Sequence, residues 1–371
     1  MRNTLISIFD GIKNTRKIDR CVYELGDLLA VAFLSYLSGL EDYADMALFS
    51  VSRAREFGLF PYTDRNPSAD TFEQLFSTLR TDFLEKAVIE QGRRILDVLE
   101  EKQIDIDGKK LCGTAPRKKG PKGDYLLNAF LAENSLFIGQ EKVRDKENEI
   151  PAIPRLLDRL EIRGATVSID AMGTQVDIAE KILSKGCHYL LAVKENQGGL
   201  LYEVKDVMRY SNPTSVHTET EKEHARVETR TVSIFPAARM EDNEVLSRWP
   251  GIRTLVRIET ATVHVSEAGK EEKQTRYYIS DEDFPSAAYY GALARGHWEV
   301  ENGLHWHLDV TFKEDDCRAR SNNAAQNLSL LRKLALQVAK ATGDRLSLRK
   351  RLVRASMDKD YLRTLLKNYG F

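Results

Sequence analysis

"GATVSIDAMGTQVDIAEKILSKGCHYLLAVKENQ" (residues 164–197) contains a strand, a helix and a second strand in that order. "GATVSIDAMGTQ" reads as a strand ending at Asp170. "QVDIAEKILSKG" has the three- and four-residue apolar spacing of an amphipathic helix, with Gly186 as its stop. "CHYLLAVKENQ" is a short apolar run, suited to a strand buried on both faces. Upstream, "QIDIDGKKL" (103–111) alternates Ile104 and Ile106 against Asp105 and Asp107, a strand pattern closed by Gly108. "YLLNAFLAENSLFIGQEKV" (125–143) reads as two strands around a Glu-Asn turn, and "IPAIPRLLDRL" as a helix. Three strands, helix, strand, helix, strand build an α/β mixed sheet flanked by helices.

Further from this centre the texture changes twice. From about 212 to 280 the chain is β-rich: "HARVETRTVSIF" and "TLVRIETATVHV" alternate, and "KQTRYYISD" closes the stretch. Residues 1–95 read as helical, with Gly39 between two helices and a helix start at "NPSADTFEQLF", where Asp70 is the cap and Glu73 completes a capping box. After Pro285 the pattern is helical again. The last long helix, "NAAQNLSLLRKLALQVAKATG", carries Leu328, Leu331, Leu334 and Val338 on one stripe and closes at Gly343.

With 371 residues, 42% hydrophobic and 30% charged, the chain can bury a large core in two or three domains. Its longest apolar run, Leu28–Leu40, is too short to span a bilayer, and no secretory signal is visible. Four scattered cysteines without a CxxC pair suit reduced thiols in a cytoplasmic protein. Net charge is −1, but residues 318–371 hold thirteen Lys/Arg against three Asp, and "PRKKGPKG" (116–123) adds a basic loop. Such local basic faces suit a polyanion, and equally suit solvated helix surfaces.

Asp is a poor strand residue, so Asp107 and Asp170 need a reason for their places. Ligands of α/β sheets gather at the carboxyl ends of strands, and paired carboxylates there repel unless a cation lies between them. Mg²⁺ favours such oxygen ligands. "HWEVENGLHWHLDVTFKEDD" (297–316) supplies a third group: Glu301 stands four residues from both His297 and His305, on one helix face. Trp298 and Trp306 are expected in the core. The bland readings stay open: Asp105 shares a face with Asp107, Asp170 suits a helix cap, and Glu301 suits a surface pair with His305. Glu301, His297, His305 and His307 also offer zinc-ligand types, without an HExxH signature, so a zinc-dependent hydrolase is a rival reading.

Four blocks, "IDGKKLCG", "SIDAMGTQ", "YLLAVKENQ" and "HWEVENGLHWHLDVTFKEDDCR", together with "PSADTF", resemble the insertion-sequence DDE transposases of the ISAs type, the H-repeat-associated family. The resemblance implies an RNase H-like domain over 100–342 with a β insertion at about 212–280. It further implies an N-terminal associated helical domain over 1–95, and 343–371 remain as a basic helical tail. It implies Asp107, Asp170 and Glu301 as catalytic metal ligands, separated by 63 and 131 residues. Two Mg²⁺ or Mn²⁺ ions per active site, double-stranded DNA and a homodimer pairing two DNA ends are implied with them. The activity it implies is strand cleavage and strand transfer; a catalytically silent, domesticated DNA-binding protein is the alternative. Expected DNA contacts are Arg117, Lys118, Lys119 and Lys122 in the basic loop, Arg226 and Arg230 in the β stretch, Arg295, His297 and Lys313 around Glu301, and Arg349, Lys350 and Arg351 near the C-terminus. The chain departs from related transposases where they carry Tyr, Arg and Lys around the glutamate: Ala294, His297 and Leu308 stand there.

Overall fold

Gln103, Ile104, Asp105 and Ile106 are all buried, so their strand lies inside a sheet covered on both faces. The computed structural model describes residues 2–16, 21–93, 103–115, 123–132, 136–144, 147–223, 226–237, 243–264 and 270–371; the side chains of Arg93, Glu223, Lys270, Glu299, Glu301 and Asn302 lie outside the described part. It places those four residues in β1 (Gln103–Lys110). β1 pairs antiparallel with β2 (Tyr125–Leu131), which pairs antiparallel with β3 (Leu136–Lys142). On its other side β1 runs parallel to β4 (Thr166–Ile169), and β4 parallel to β5 (His188–Val193). The β-rich stretch forms an antiparallel meander of β6 (Ser215–Glu223), β7 (Arg226–Pro236), β8 (Thr254–His264) and β9 (Lys270–Ser280). β9 pairs with β5, so the meander continues the same nine-stranded sheet instead of standing as a sheet of its own.

Among the described residues five α-helices precede the sheet: α1 (Arg2–Ile6), α2 (Leu25–Leu37), α3 (Tyr43–Ser52), α4 (Ala69–Thr78) and α5 (Thr81–Arg93). α4 is capped by the Ser68 hydroxyl, which accepts from the Thr71 N–H. The expected cap, Asp70, lies inside the first turn instead, where its charge favours the positive end of the helix. Three helices, α6 (Ala152–Arg159), α7 (Val176–Ser184) and α8 (Gly198–Tyr210), cover one face of the sheet, packing Leu156, Ile182 and Val204 into one cluster with Ile104, Ile106, Val167 and Leu191. α9 (Ala287–Glu299) takes the other face, with Tyr290, Leu293 and Ala294 against Leu190, Val256 and Ile258.

Beyond α9 the chain runs on as π-helical turns, Val300–His305 and His307–Thr311. It then forms α10 (Ala324–Lys340), α11 (Leu348–Met357) and α12 (Lys359–Asn368). α10 is buried on every side, not along one stripe, because α2, α4 and α5 wrap the side that the sheet leaves open. Residues 343–371, basic in composition, send Leu348, Leu352, Leu362, Leu365 and Leu366 into the core that holds α2 to α5. N- and C-terminal helices therefore build one lobe. Each fully buried leucine contributes about 1.5–3 kcal/mol to it.

Candidate active site

Ile106 of β1 pairs with Ile169 of β4, and the next residues along the two parallel strands are Asp107 and Asp170. Equivalent positions on parallel neighbours face the same way, so the register sets two aspartates 63 residues apart in sequence on one face of the sheet, where β4 ends beside the middle of β1. Asp107 Oδ1 accepts from the Gly108 N–H at 2.8 Å, and its Oδ2 lies 3.1 Å from His305 Nδ1. Burial pushes the Asp107 carboxyl up, but the His305 contact, the charge of His297 and the Gly108 N–H outweigh it and hold the group below the usual carboxylate range. Asp170 Oδ1 accepts from the N–H groups of Met172 and Gly173 at 3.1 and 3.2 Å, capping a single 3₁₀ turn, Ala171–Gly173. The capping role weighed from sequence is real and coexists with its place beside Asp107.

Asp105, on the same strand face, is wholly buried beneath this pair. Gln103 Nε2 donates to its Oδ1 at 2.6 Å, and the Ser168 hydroxyl bonds the same atom. His297 Nδ1 lies 2.9 Å from Ser168 Oγ and 3.6 Å from Asp105 Oδ1. His297 thus meets β1 at residue 105 and His305 meets it at residue 107, with Glu301 midway between them in sequence. The side chain of Glu301 lies outside the described residues. On the opposite flank Val300, Leu304, Leu308 and Phe312 enter the helical core, again at four-residue intervals. An α-helix would rotate each such step out of line by about 40°; wider π-helical turns reduce that drift and keep both flanks docked.

The end of this helix is tied down by Lys109, two residues beyond Asp107. Its ammonium contacts Asp309 and lies 3.4 Å from Glu314 and 3.5 Å from Asp315. Lys313, one of the expected DNA contacts, turns the chain back through a left-handed backbone (φ 51°) so that Glu314 points inward.

Arg117, Lys118, Lys119 and Lys122 lie outside the described residues. Arg226, Arg230 and Arg295 line one groove of about 1040 Å³ with Lys273, Arg276 and Trp298, between the meander and α9. Arg230 pairs with Glu228, and Arg295 donates to both oxygens of Glu221 at 2.6 and 2.9 Å. Arg276 and Trp298 also line a recess of about 340 Å³ that reaches Asp170. Arg349 and Lys350 are exposed on α11, in the helical lobe. Arg351 is spent locally on Asp344 and the carbonyls of Ala339 and Asp344, each at 2.7 Å. Trp298 and Trp306, expected in the core, are 38% and 51% exposed; the Arg276 guanidinium stacks 3.9 Å from the Trp298 ring centroid. Their helix buries its Val300 flank, leaving the indoles on the outer side.

Among the described residues no three His, Cys, Asp or Glu side chains stand in metal-ligating geometry. The histidines of the zinc reading go to separate partners: His297 to Ser168, His305 to Asp107 and His307 to Thr311. Asp107 and Asp170, which follow the paired residues Ile106 and Ile169, are hard oxygen donors of the kind Mg²⁺ and Mn²⁺ take. Burial, aided by Lys340, pushes the His307 imidazole down to about 4. The unfolded chain then takes up a proton that the folded chain refuses between about pH 6.5 and 4, so stability falls as pH drops through that window. Urea midpoints for His307→Gln should fall less than those of the native chain over the same range; parallel pH profiles would reject this.

Sequence reasoning missed the His305–Asp107 contact, although the shared face of His305 and Glu301 was visible. It also missed Tyr125 and Glu149, which the fold brings beside Gly108 without any local signal. No helix among the described residues is long and apolar enough to cross a membrane.

Comparison with known proteins identifies the family. Residues 99–338 match the family described as "Transposase DDE domain", and residues 6–90 match the one described as "DDE_Tnp_1-associated". "H repeat-associated putative transposase YhhI" of Escherichia coli K12 is 34% identical, the match covering 98% of this chain and 97% of that protein. "Putative transposase YncI" of Escherichia coli O157:H7 is 31% identical over 92% of this chain and 88% of its own. The domain match, with likeness running nearly from end to end, places the chain in the DDE transposase family.

Proposed function

We propose that this chain is an active DNA transposase that cuts and joins the ends of an insertion sequence, with Asp107, Asp170 and Glu301 as its metal-ligating triad. Its core is RNase H-like, with β6 to β9 carried as an insertion. The observation that carries the reading is the register of β1 on β4, which aligns Asp107 with Asp170 in a chain of this family. Glu301 joins them because it lies one four-residue step from both His297 and His305, each of which reaches β1. Two divalent ions, Mg²⁺ or Mn²⁺, would supply Lewis-acid stabilisation of the entering and leaving oxygens and a nucleophilic water at neutral pH. His305 orients Asp107, and Lys109 holds the end of the helix that bears Glu301. Arg226, Arg230, Arg276 and Arg295 carry the phosphate backbone along their groove, and Arg276 also lines the recess that reaches Asp170; such contacts position DNA without reading its sequence. Lys313, Arg349 and Lys350 contribute outlying charge. Two copies pair two DNA ends.

The test is a duplex carrying one end of the element and its flank, incubated with the full chain. With Mg²⁺ or Mn²⁺ the expected product is a break at the element boundary that leaves a 3′-hydroxyl, and with EDTA none. Affinity for the duplex should fall steeply with salt, as counterion release requires. Specific end binding with intact strands in Mg²⁺ would overturn the reading in favour of a DNA-binding protein without catalysis.

A further inference from the structure

Every second residue of β1 from Gln103 faces the side of the sheet that α9 covers, and the first two of them are an amide and a carboxylate. Gln103, Asp105, Ser168 of β4 and His297 of α9 are all buried. Ser168 stands opposite Asp105 in the parallel register. Its hydroxyl has one proton, which it gives to Asp105 Oδ1. Its oxygen therefore accepts from His297 Nδ1 at 2.9 Å, and the imidazole carries a proton on that nitrogen. Gln103 Nε2 spends its two N–H groups on Asp105 Oδ1 at 2.6 Å and on the Leu293 carbonyl of α9 at 2.7 Å. One carboxylate oxygen thus gathers donors from two strands, and both chains of bonds end on α9.

α9 also lies as near to β1 as a bare Cα allows, since a methyl on Gly296 would collide with Gln103 Oε1. Apolar packing is non-directional and would let the helix slide or roll; hydrogen bonds fix its height and rotation. Glu301 follows His297 by four residues, about one helical turn. On its far side His305 meets Asp107, itself a member of the proposed triad. The inner contact, with Ser168 and Asp105, stays the same whatever Asp107 binds.

We propose that Asp105 is a positioning residue: through Ser168, Gln103 and His297 it fixes the height and rotation, on β1 and β4, of the helix that carries Glu301. This rests on Glu301 being the third member of the triad. Asp105 itself touches neither DNA nor metal. A buried charge is a poor way to gain stability; what this one gives is a single placement of α9 on the strands.

Two measurements on the full chain test this. Hydrogen–deuterium exchange, read without metal or DNA, follows the backbone of residues 297–305 with α10 as an internal reference. Single-turnover cleavage with protein in excess gives a rate constant, and partial unfolding lowers the amplitude instead. Ser168→Ala should speed exchange at 297–305, leave α10 unchanged and cut the rate constant about 10–100-fold, the range for losing a group that holds a metal ligand in place. Asp105→Ala should do the same. Asp105→Asn, which keeps Oδ1 as an acceptor for Gln103 and Ser168, should restore most of both. Ser168→Ala decides the question if Asp105→Ala does not fold. Native exchange or a native rate constant in the folded variants overturns the role of Asp105. So does a loss in Asp105→Asn as deep as in Asp105→Ala, which would make the carboxylate itself a ligand. Native cleavage by Glu301→Gln overturns the triad reading beneath it, a separate outcome.

Discussion

Asp107→Asn is expected to leave the protein folded and able to hold its DNA, while strand cleavage falls by at least about 10²–10³-fold, the loss that follows removal of one preorganised electrostatic group. The substitution keeps the shape of the side chain. Oδ1 still accepts from the Gly108 N–H, and the β1 ladder to Asn128 and Ile169 does not involve the carboxylate. What disappears is the negative charge. That charge now pairs with His305 at 3.1 Å and, on the proposed function, ligates the metal. Asparagine also remains a hydrogen-bond partner for His305 without burying a charge, so melting temperatures should move little. Single-turnover cleavage in Mg²⁺, gel shifts in EDTA and circular dichroism measure the three quantities. Cleavage within tenfold of the native rate would remove Asp107 from the site and turn attention to Asp105. That carboxylate, already bonded by Gln103 and Ser168 in the interior, is poorly placed to take over.

Much of this site was legible because its parts are local. Alternation marked β1, and the aspartate at the end of β4 marked a strand terminus. The four-residue step from His297 to His305 marked a helix face. Their meeting was not legible: strand order and register are long-range choices, and the resemblance to a family supplied what periodicity could not. Gly108 reads in the sequence as the end of the strand, because glycine inside a strand usually weakens it; the reason it is there lies in Tyr125 and Glu149, brought from β2 and the start of α6. α10 presented one leucine stripe, yet it is enclosed on all sides, because helices more than two hundred residues earlier cover its polar flank. Buried Arg332 there stacks on Tyr36 at 4.6 Å, and Lys333 bonds Gln140 at 2.8 Å. The departures around Glu301 also gain a physical account. Ala294 packs against the sheet and Leu308 fills the helical core, so both positions have become packing positions. The phosphate grip that related transposases place there falls instead, on the proposed function, to the groove arginines.

Lys109→Met should cost about 3–5 kcal/mol of stability, the range for breaking a buried ion pair from one side. Lys109 is 6% exposed and Glu314 1% exposed, and Asp309 and Asp315 crowd the same ammonium. Methionine fills much of the volume, so the loss is mainly electrostatic. Burial pushes Glu314 up, but Lys109, followed by Lys333 and Arg332, outweighs it and holds the carboxyl low. A carboxyl depressed in the folded state adds stability above its unfolded value and loses it as pH falls through the folded one. Without Lys109 that contribution shrinks. The gap between native and variant stability should therefore be widest near pH 7 and narrow in acid, below about pH 4.5, where carboxyls protonate in either chain. Adding Glu314→Gln removes the stranded charge, so the double variant should be more stable than the sum of the two single losses, by at least about 1 kcal/mol. Urea unfolding of the four proteins at pH 7 closes the cycle, and that of the native chain and Lys109→Met at about pH 4 tests the narrowing. Strict additivity would mean that Lys109 and Glu314 do not form one junction, and the helix bearing Glu301 would then need another anchor. Cleavage separates the two meanings of the junction. If Lys109 only stabilises the fold, the double variant regains cleavage along with stability; if it positions the helix over Asp107, stability returns and cleavage does not.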